Sequence, residues 1–212
     1  YGAAAILTDE GRQRLQGIER LDSLAVDPHK WLYQPMMAGC AIVREFEHLR
    51  DAFRILPPYL QDKERGAVGV DLCDYGVELS RNFRALKVWM SLKTHGVEAF
   101  RQAMEHNLRL ARLAEQALRA RPHWEIVSPA TMGIVAFRYA PSGWDAARVD
   151  ALNRALVDAM IADGYAMVSS TILRGRVALR MCTLSYRATD ADVRETVRRL
   201  SAFAESLTRA AR

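Results

Sequence analysis

Asp22–Val43, DSLAVDPHKWLYQPMMAGCAIV, is the stretch on which the interpretation of the whole chain depends. Residues Ser23–Val26 alternate small and apolar side chains as a partly buried strand does, and Pro28 then removes a backbone donor and fixes the chain direction. Ala38–Val43 is a short apolar run that predicts a second strand. The stretch is therefore predicted to be a strand, a tight turn and a returning strand, with Lys30 at the tip of the turn.

Lys30 lies between His29 and Trp31, so the turn presents an amine, an imidazole and an indole on one rigid corner. A lysine that acts as a nucleophile must spend time as the neutral amine, although the pKa of a free lysine side chain is about 10.4. Imine formation with an aldehyde cofactor, in a site that desolvates the ammonium, meets that requirement. The alternative is a solvated turn lysine beside an apolar Trp31 anchor, which is the usual state of an isolated lysine.

The six residues DPHKWL, at positions 27–32, carry a resemblance. With Asp22 and Ser23 before them, they resemble the cofactor-lysine segment of the pyridoxal-phosphate-dependent group II decarboxylases, the aromatic-L-amino-acid decarboxylase family. The resemblance implies that Lys30 forms the internal aldimine, a Schiff base, with pyridoxal 5′-phosphate. It also implies that His29 contacts the cofactor phosphate and that Asp27 belongs to the cofactor-binding motif. A motif of six residues is specific, so it favours the cofactor role of Lys30 over the solvated one.

A second block, SRNFRALKVW at Ser80–Trp89, resembles the RRxRALKxW block of the same family. The resemblance implies that Ser80, together with Arg81, contacts the cofactor phosphate of a neighbouring subunit across a dimer interface. The alternative for this block is a helix N-terminus with charged, solvated arginines. Its periodicity predicts a helix over Arg84–Lys93 with a buried apolar stripe. The predicted stripe consists of Leu86, Val88, Trp89 and Leu92.

Gln61–Leu72, QDKERGAVGVDL, combines charge with two glycines and shows no sustained period, which predicts a mobile loop. The resembled enzymes have a catalytic lid at this position, and its entry tyrosine matches Tyr59. The resemblance therefore implies that Tyr59 protonates the carbanion left by departing carbon dioxide, which a phenol can do under a lid that excludes water. The alternative for Tyr59 is an amphipathic turn tyrosine with its hydroxyl in water.

Composition and charge disfavour several classes of protein. The formal net charge is +5, and Lys and Arg are interspersed with Asp and Glu, so no nucleic-acid surface is predicted. Three cysteines lie far apart without a CxxC pair, which indicates a reducing, cytoplasmic compartment and no metal site. The longest apolar run, Met36–Val43, is too short to span a bilayer, and no signal peptide is recognised.

Gly96 marks a predicted boundary between two domains. The resemblance implies that residues 1–96 are the C-terminal part of a pyridoxal-phosphate-binding large domain with the lysine corner and the lid loop. Residues 97–212 alternate long helices with short strands, which predicts a small α+β domain with an open sheet and helices on one face. Its predicted helices are Val97–Ala120, Asp145–Ala162, which Gly164 is expected to cap, and a last helix that begins at a capping box of Thr189 and Asp192. The apolar face predicted for the first of these helices consists of Phe100, Met104, Leu108, Ala111, Ala114 and Leu118. Its predicted strands are Trp124–Val127, Gly133–Tyr139, Ala166–Ser169 and Arg176–Cys182.

Arg180 lies in one of these predicted strands, and a guanidinium fork suits a carboxylate. A decarboxylase needs its departing carboxylate in a poorly stabilised setting, so Arg180 is interpreted as part of a structural salt bridge. Residues 46–53 carry Phe46, Leu49 and Phe53 at helical spacing, so these three side chains share one apolar face. This face is predicted to pack under the sheet.

The resemblance as a whole implies an α/β fold of the type I pyridoxal-phosphate-dependent transferases and a homodimer with shared active sites. The implied activity is decarboxylation of an L-amino acid, with aromatic ones favoured, to the amine by a carboxy-lyase. An aldehyde synthase on the same scaffold, with phenylalanine in place of the lid tyrosine, is one alternative. A non-catalytic fragment or subunit is another. The family's aspartate that pairs with the pyridine nitrogen would lie just upstream of Tyr1, so the N-terminal half of the site is expected in the same or a companion chain.

Overall fold

The computed structural model describes residues 1–55 and 69–211, and the chain divides into two compact units. The first unit is Tyr1–Val97 and the second is Glu98–Arg212. Tyr59 and most of the loop predicted over Gln61–Leu72 lie outside the described residues, so the structure does not test either prediction. Within the described part, no helix combines the length and the apolar character that crossing a bilayer requires.

The first unit is built from short elements around a two-stranded sheet. Strand β1 is Ser23–Val26 and strand β2 is Cys40–Val43, and the two pair antiparallel along their whole length. β1 has the predicted bounds, whereas β2 begins two residues after the predicted start because Ala38 and Gly39 belong to the connection. Among the described residues before position 85, the helices are α1 at Asp9–Arg14 and α2 at Glu47–Phe53, with 3-10 helices at Gly2–Leu7, Ile18–Arg20 and Leu72–Tyr75.

The prediction that residues 46–53 bury an apolar face is wrong. The ring of Phe46 stacks on Tyr75, with ring centroids 4.0 Å apart and planes inclined by 12°. Phe46 and Phe53 are each more than a third exposed. The helix α2 therefore packs against the 3-10 helix Leu72–Tyr75 and presents the rest of this face to solvent.

Helix α3, Ala85–Arg119, is interrupted at Gly96, whose φ of 77° and ψ of 154° are not helical. Glycine adopts such a positive φ without steric cost, so two helical segments meet at this residue. The buried stripe predicted for the first segment is wrong, because Leu86 and Trp89 are 39% and 59% exposed. The inward face predicted for the second segment is confirmed. Its buried members are Phe100, Met104, Leu108, Ala111, Ala114 and Leu118.

The second unit contains four strands, namely β3 at Trp124–Thr131, β4 at Ile134–Tyr139, β5 at Ser169–Leu173 and β6 at Arg176–Cys182. They form an antiparallel sheet with strand order β3-β4-β6-β5. Strand β6 has the predicted bounds. Strand β5 lies three residues beyond the predicted Ala166–Ser169, because Arg174 and Gly175 both have positive φ and form a two-residue hairpin that pairs Leu173 with Arg176.

Helices α4, Ala146–Asp163, and α5, Asp190–Ala210, complete the second unit. Both ends predicted from capping residues are confirmed. Gly164 ends α4 in the left-handed conformation, and Thr189 and Asp192 form the capping box of α5. Alternate residues of β4 join side chains of α3, α4 and α5 in one apolar cluster, so the three helices cover one face of the sheet.

Two polar side chains of α4 bind the backbone where β4 ends and where β6 begins. Asn153 is fully buried, accepts a hydrogen bond from the Tyr139 N–H at 2.9 Å and donates one to the Tyr139 carbonyl at 2.8 Å. Asp150 accepts from the Val177 N–H at 3.1 Å and from Arg138 Nη2 at 3.3 Å. These contacts take the place of strand-to-strand bonds, because the pairing of β4 with β6 stops before Tyr139.

Candidate functional site

The connection between β1 and β2 forms a rigid corner that carries Lys30. The Lys30 N–H donates to the Asp27 carbonyl at 3.0 Å, and the Tyr33 N–H donates to the Lys30 carbonyl at 3.1 Å. A bond of 3.0 Å from the Gln34 N–H to the Pro28 carbonyl spans both turns. The predicted turn is confirmed. It consists of two successive turns within a connection that runs as far as Gly39.

Trp31 anchors this corner from within the first unit. Its side chain is fully buried, and its ring centroid lies 5.5 Å from that of Tyr1. The adjacent Lys30 side chain is 47% exposed. Burial of the indole therefore fixes the backbone beside the lysine, while the lysine amine stays accessible to a small molecule.

Asp27 binds the lysine amine directly. Lys30 Nζ donates to Asp27 Oδ2 at 2.6 Å. The hydrogen bond from Lys30 is the main cause that lowers the pKa of Asp27, and the positive charge of Lys30 adds to it. The Asp27 carboxyl therefore stays ionised to a lower pH than a free aspartate does.

His29 makes one hydrogen bond, from Nδ1 to the Ala38 carbonyl at 2.9 Å. A carbonyl oxygen only accepts, so Nδ1 must carry the proton of the neutral ring. Among the residues that the structure describes, Nε2 has no hydrogen-bond partner. The backbone of the corner thus orients the imidazole and leaves Nε2 for a ligand.

Two polar contacts tie the corner to the start of α3. Gln34 is almost fully buried, and its Nε2 donates to the Leu32 carbonyl at 2.6 Å and to Ser91 Oγ at 2.8 Å. Lys87 Nζ donates to the Met36 carbonyl at 3.2 Å. Sequence reasoning missed Gln34, because a lone glutamine after a turn carries no pattern that identifies a buried partner. These contacts position the corner against the second motif of the chain.

Ser80 and Arg81, which begin that second motif, are both exposed. No hydrogen bond joins Ser80 to the lysine corner within the described ranges, and no carboxylate there lies within ion-pair distance of Arg81. The neighbouring Arg84 instead pairs with Glu78 at 3.2 Å. The structure therefore brings Lys30, His29 and Asp27 together on one corner, while Ser80 remains apart from them and Tyr59 falls outside the described residues.

The other predicted polar features can be checked within the described residues. In residues 1–55 and 69–211, no group of three His, Cys, Asp or Glu side chains could hold a metal ion. The salt bridge predicted for Arg180 is not found, since Arg180 is exposed and no described carboxylate lies within ion-pair distance of it. The three cysteines are free thiols.

Comparisons with known proteins agree with the motif. The family model described as "Pyridoxal-dependent decarboxylase conserved domain" matches residues 1–140. An aromatic-L-amino-acid decarboxylase from Bacillus atrophaeus is 43% identical over 209 residues, which is 98% of this chain and 44% of the relative. A phenylacetaldehyde synthase from Arabidopsis thaliana is 32% identical over 181 residues, which is 85% of this chain and 37% of the relative.

The fold agrees as well. The crystal structure of Oryza sativa TDC with PLP and tryptamine superposes with a TM-score of 0.88 at 29% identity, covering 98% of this chain and 43% of that one. The chain thus spans less than half the length of these relatives. The predicted fold class, α/β with the fold of type I pyridoxal-phosphate enzymes, is confirmed. The chain belongs to the pyridoxal-dependent decarboxylase family.

Proposed function

We propose that this chain is part of a carboxy-lyase that uses pyridoxal 5′-phosphate to convert an L-amino acid, with aromatic ones favoured, to its amine. One observation carries the proposal. Lys30 presents an accessible amine on a rigid corner, beside an imidazole nitrogen that has no described partner. Membership of the pyridoxal-dependent decarboxylase family supports the same conclusion.

The residues of the corner fit the chemical groups of this cofactor. An aldehyde requires an amine, which Lys30 offers, and a phosphate requires hydrogen-bond donors. Because Nδ1 of His29 donates to the Ala38 carbonyl, a contact with phosphate needs a second proton on Nε2, and the ring then meets the phosphate as a cation. Ser80 is proposed to add a hydroxyl donor to the phosphate of a neighbouring subunit.

The bound cofactor would supply an electron sink for the electron pair left by the departing carboxylate. Residues of this chain would hold the cofactor and transfer the proton. Lys30 would hold the cofactor, Trp31 would keep the corner rigid, and Tyr59 would deliver the proton to carbon once water is excluded. The role of Tyr59 rests on the sequence motif alone.

His29→Asn tests the phosphate contact. Asparagine can keep a donor near the Ala38 carbonyl but cannot reach as Nε2 does, so cofactor affinity of the full-length protein should fall about 10- to 100-fold, as for the loss of one charge-assisted hydrogen bond. Titration with pyridoxal 5′-phosphate, followed by absorbance, measures this change. His48→Asn alters an exposed histidine of α2 and should leave the affinity unchanged. Equal affinities of His29→Asn and the native protein would remove His29 from the site.

An aldehyde synthase is the second candidate, because one relative carries that name. Tyr59 argues against it, since the resemblance implies phenylalanine at this position in such enzymes. Incubation of the full-length protein with L-tryptophan, L-tyrosine and L-phenylalanine decides between the two. The amine without hydrogen peroxide is expected. Formation of aldehyde with peroxide would support the synthase instead.

A non-catalytic subunit is the alternative from another class. It predicts that the 212-residue chain binds no pyridoxal 5′-phosphate, even when an N-terminal companion polypeptide is added. The proposed enzyme predicts binding at least when the N-terminal half is present. Absorbance of the mixtures with and without that half separates the two possibilities.

The remaining assignments are also proposals. Residues 1–96 are assigned to the C-terminal part of the cofactor-binding domain, and residues 97–212 to a small C-terminal domain. A homodimer with shared active sites is supported by Phe83 and Trp89, large apolar side chains that are 70% and 59% exposed close to Ser80. A cytoplasmic location is supported by the three free cysteines.

A further inference from the structure

A bidentate ion pair closes the loop that precedes α3. Arg84 Nη1 donates to Glu78 Oε2 at 3.2 Å, and Arg84 Nη2 donates to Glu78 Oε1 at 3.3 Å. The five residues between them, Leu79–Phe83, are all exposed, whereas Glu78 and Arg84 are half-buried. Because no residue between its ends is buried, the loop depends on the ion pair at its base for a fixed shape.

The loop presents two polar groups that are free within the described residues. Neither Ser80 nor Arg81 has a hydrogen-bond or ion-pair partner there. The Arg81 guanidinium folds back over Gly76, where an added methyl group would lie only 3.3 Å from Arg81 Nη1. A hydroxyl and an unpaired guanidinium on one short loop are donors that suit a phosphate.

Arg84 differs from Arg81 because its positive charge already faces a carboxylate. Both terminal nitrogens of the Arg84 guanidinium donate to Glu78, so a phosphate that bound Arg84 would have to compensate for the loss of this pair. A bidentate pair also fixes the relative orientation of the two side chains. Arg84 therefore suits the role of a brace, and Arg81 is the cation that remains for a ligand.

We propose that Glu78 and Arg84 are positioning residues that clasp the loop Leu79–Phe83 and thereby hold Ser80 and Arg81 in place for the phosphate group of the cofactor. This inference rests on the proposed function, which supplies the cofactor. Neither residue of the clasp touches the phosphate, since both act through the loop between them. A loop that is ordered in advance loses less conformational entropy when it binds its ligand.

Two forms of the cofactor separate an effect on the phosphate contact from a general loss of structure. Pyridoxal 5′-phosphate and pyridoxal share the aldehyde, but only the first carries the phosphate. Each is titrated into the full-length protein, and the absorbance of the bound form is followed. Arg84→Gln should lower the affinity for pyridoxal 5′-phosphate about three- to tenfold, as for the loss of a partly exposed bidentate pair, and leave the affinity for pyridoxal unchanged.

An exchange of the two charges distinguishes a clasp from a direct contact of Arg84 with the phosphate. Glu78→Arg combined with Arg84→Glu rebuilds the pair with its ends reversed, so its affinity for pyridoxal 5′-phosphate should lie within about twofold of that of the native protein. If Arg84 itself bound the phosphate, the exchanged variant would bind as weakly as Arg84→Gln does. Arg101→Gln is the matched control, because it breaks an exposed ion pair with Glu98 and should leave both affinities unchanged.

Three results would overturn the clasp: an unchanged affinity of Arg84→Gln for pyridoxal 5′-phosphate, an equal loss of affinity for pyridoxal, or no recovery in the exchanged variant. Absence of cofactor absorbance in the native full-length protein would instead overturn the proposed function, and the clasp with it. The two failures are distinguishable, because the first occurs in a protein that binds the cofactor and the second in one that does not.

Discussion

Replacement of Lys30 by alanine is expected to abolish the visible absorbance of bound cofactor in the full-length protein and to lower turnover about 10³-fold or more, as loss of a covalent catalytic group does. Lys30 is the amine on the corner, and its side chain is accessible. Among the described lysines, Lys87 donates to the Met36 carbonyl, and Lys93 lies further along α3. Neither belongs to the corner.

Two further variants separate the chemistry of Lys30 from its charge. Lys30→Arg keeps a cation opposite Asp27 but offers no nucleophile, because a guanidinium stays protonated. It should lose the absorbance as Lys30→Ala does. Lys93→Ala removes an exposed lysine and should retain both spectrum and turnover. Absorbance and turnover that survive in Lys30→Ala would contradict the proposed function.

Replacement of Asn153 by alanine is expected to lower the free energy of unfolding of the second unit by about 2–5 kcal/mol. The variant leaves the buried N–H and carbonyl of Tyr139 without their partner, and each such group costs about 1–3 kcal/mol. Asn153→Asp is a sharper test, since it keeps the shape and the acceptor for the Tyr139 N–H. It places a second oxygen against the Tyr139 carbonyl, so it should be at least as destabilising.

Urea unfolding followed by circular dichroism measures both variants of Asn153. Asp158→Ala, on the exposed side of the same helix, should change the free energy of unfolding by no more than about 0.5 kcal/mol. A loss below about 1 kcal/mol in Asn153→Ala would show that water replaces the missing amide. The hydrogen bonds of Asn153 would then not be what holds the end of β4 to α4.

Local signals predicted the fold well wherever the structure depends on neighbouring residues. The capping box of α5, the left-handed Gly164 after α4 and the break at Gly96 follow from the backbone preferences of individual residues. Strand β5 could have been placed from Gly175, because a two-residue hairpin sets the register of both its strands. The apolar pattern alone placed the start of β5 three residues too early.

Periodicity did not predict which apolar faces are buried. The stripe with Leu86 and Trp89 has the spacing of a buried face, yet both side chains are exposed in the described part of the chain. Spacing reports that residues share a face, but burial depends on what packs against it. The contact of Gln34 with Ser91 could not be predicted for a similar reason, since it joins residues 57 positions apart.

The candidate site could likewise be predicted only in part. The motif at positions 27–32 identified Lys30, His29 and Asp27 as residues of one corner, because its residue types match a known lysine segment. The ion pair of Lys30 with Asp27 and the proton on His29 Nδ1 could not be predicted, since both depend on how the turns close around Ala38 and Asp27. The motif identified the residues, and the structure shows which contact each of them makes.

Reductive trapping tests the central claim most directly. The full-length protein is loaded with pyridoxal 5′-phosphate, reduced with borohydride, digested and mapped by mass spectrometry. The account predicts that the cofactor-derived mass lies on Lys30 and on no other lysine. Trapping at Lys63, Lys87 or Lys93 instead of Lys30, or no trapped cofactor at all, would contradict it.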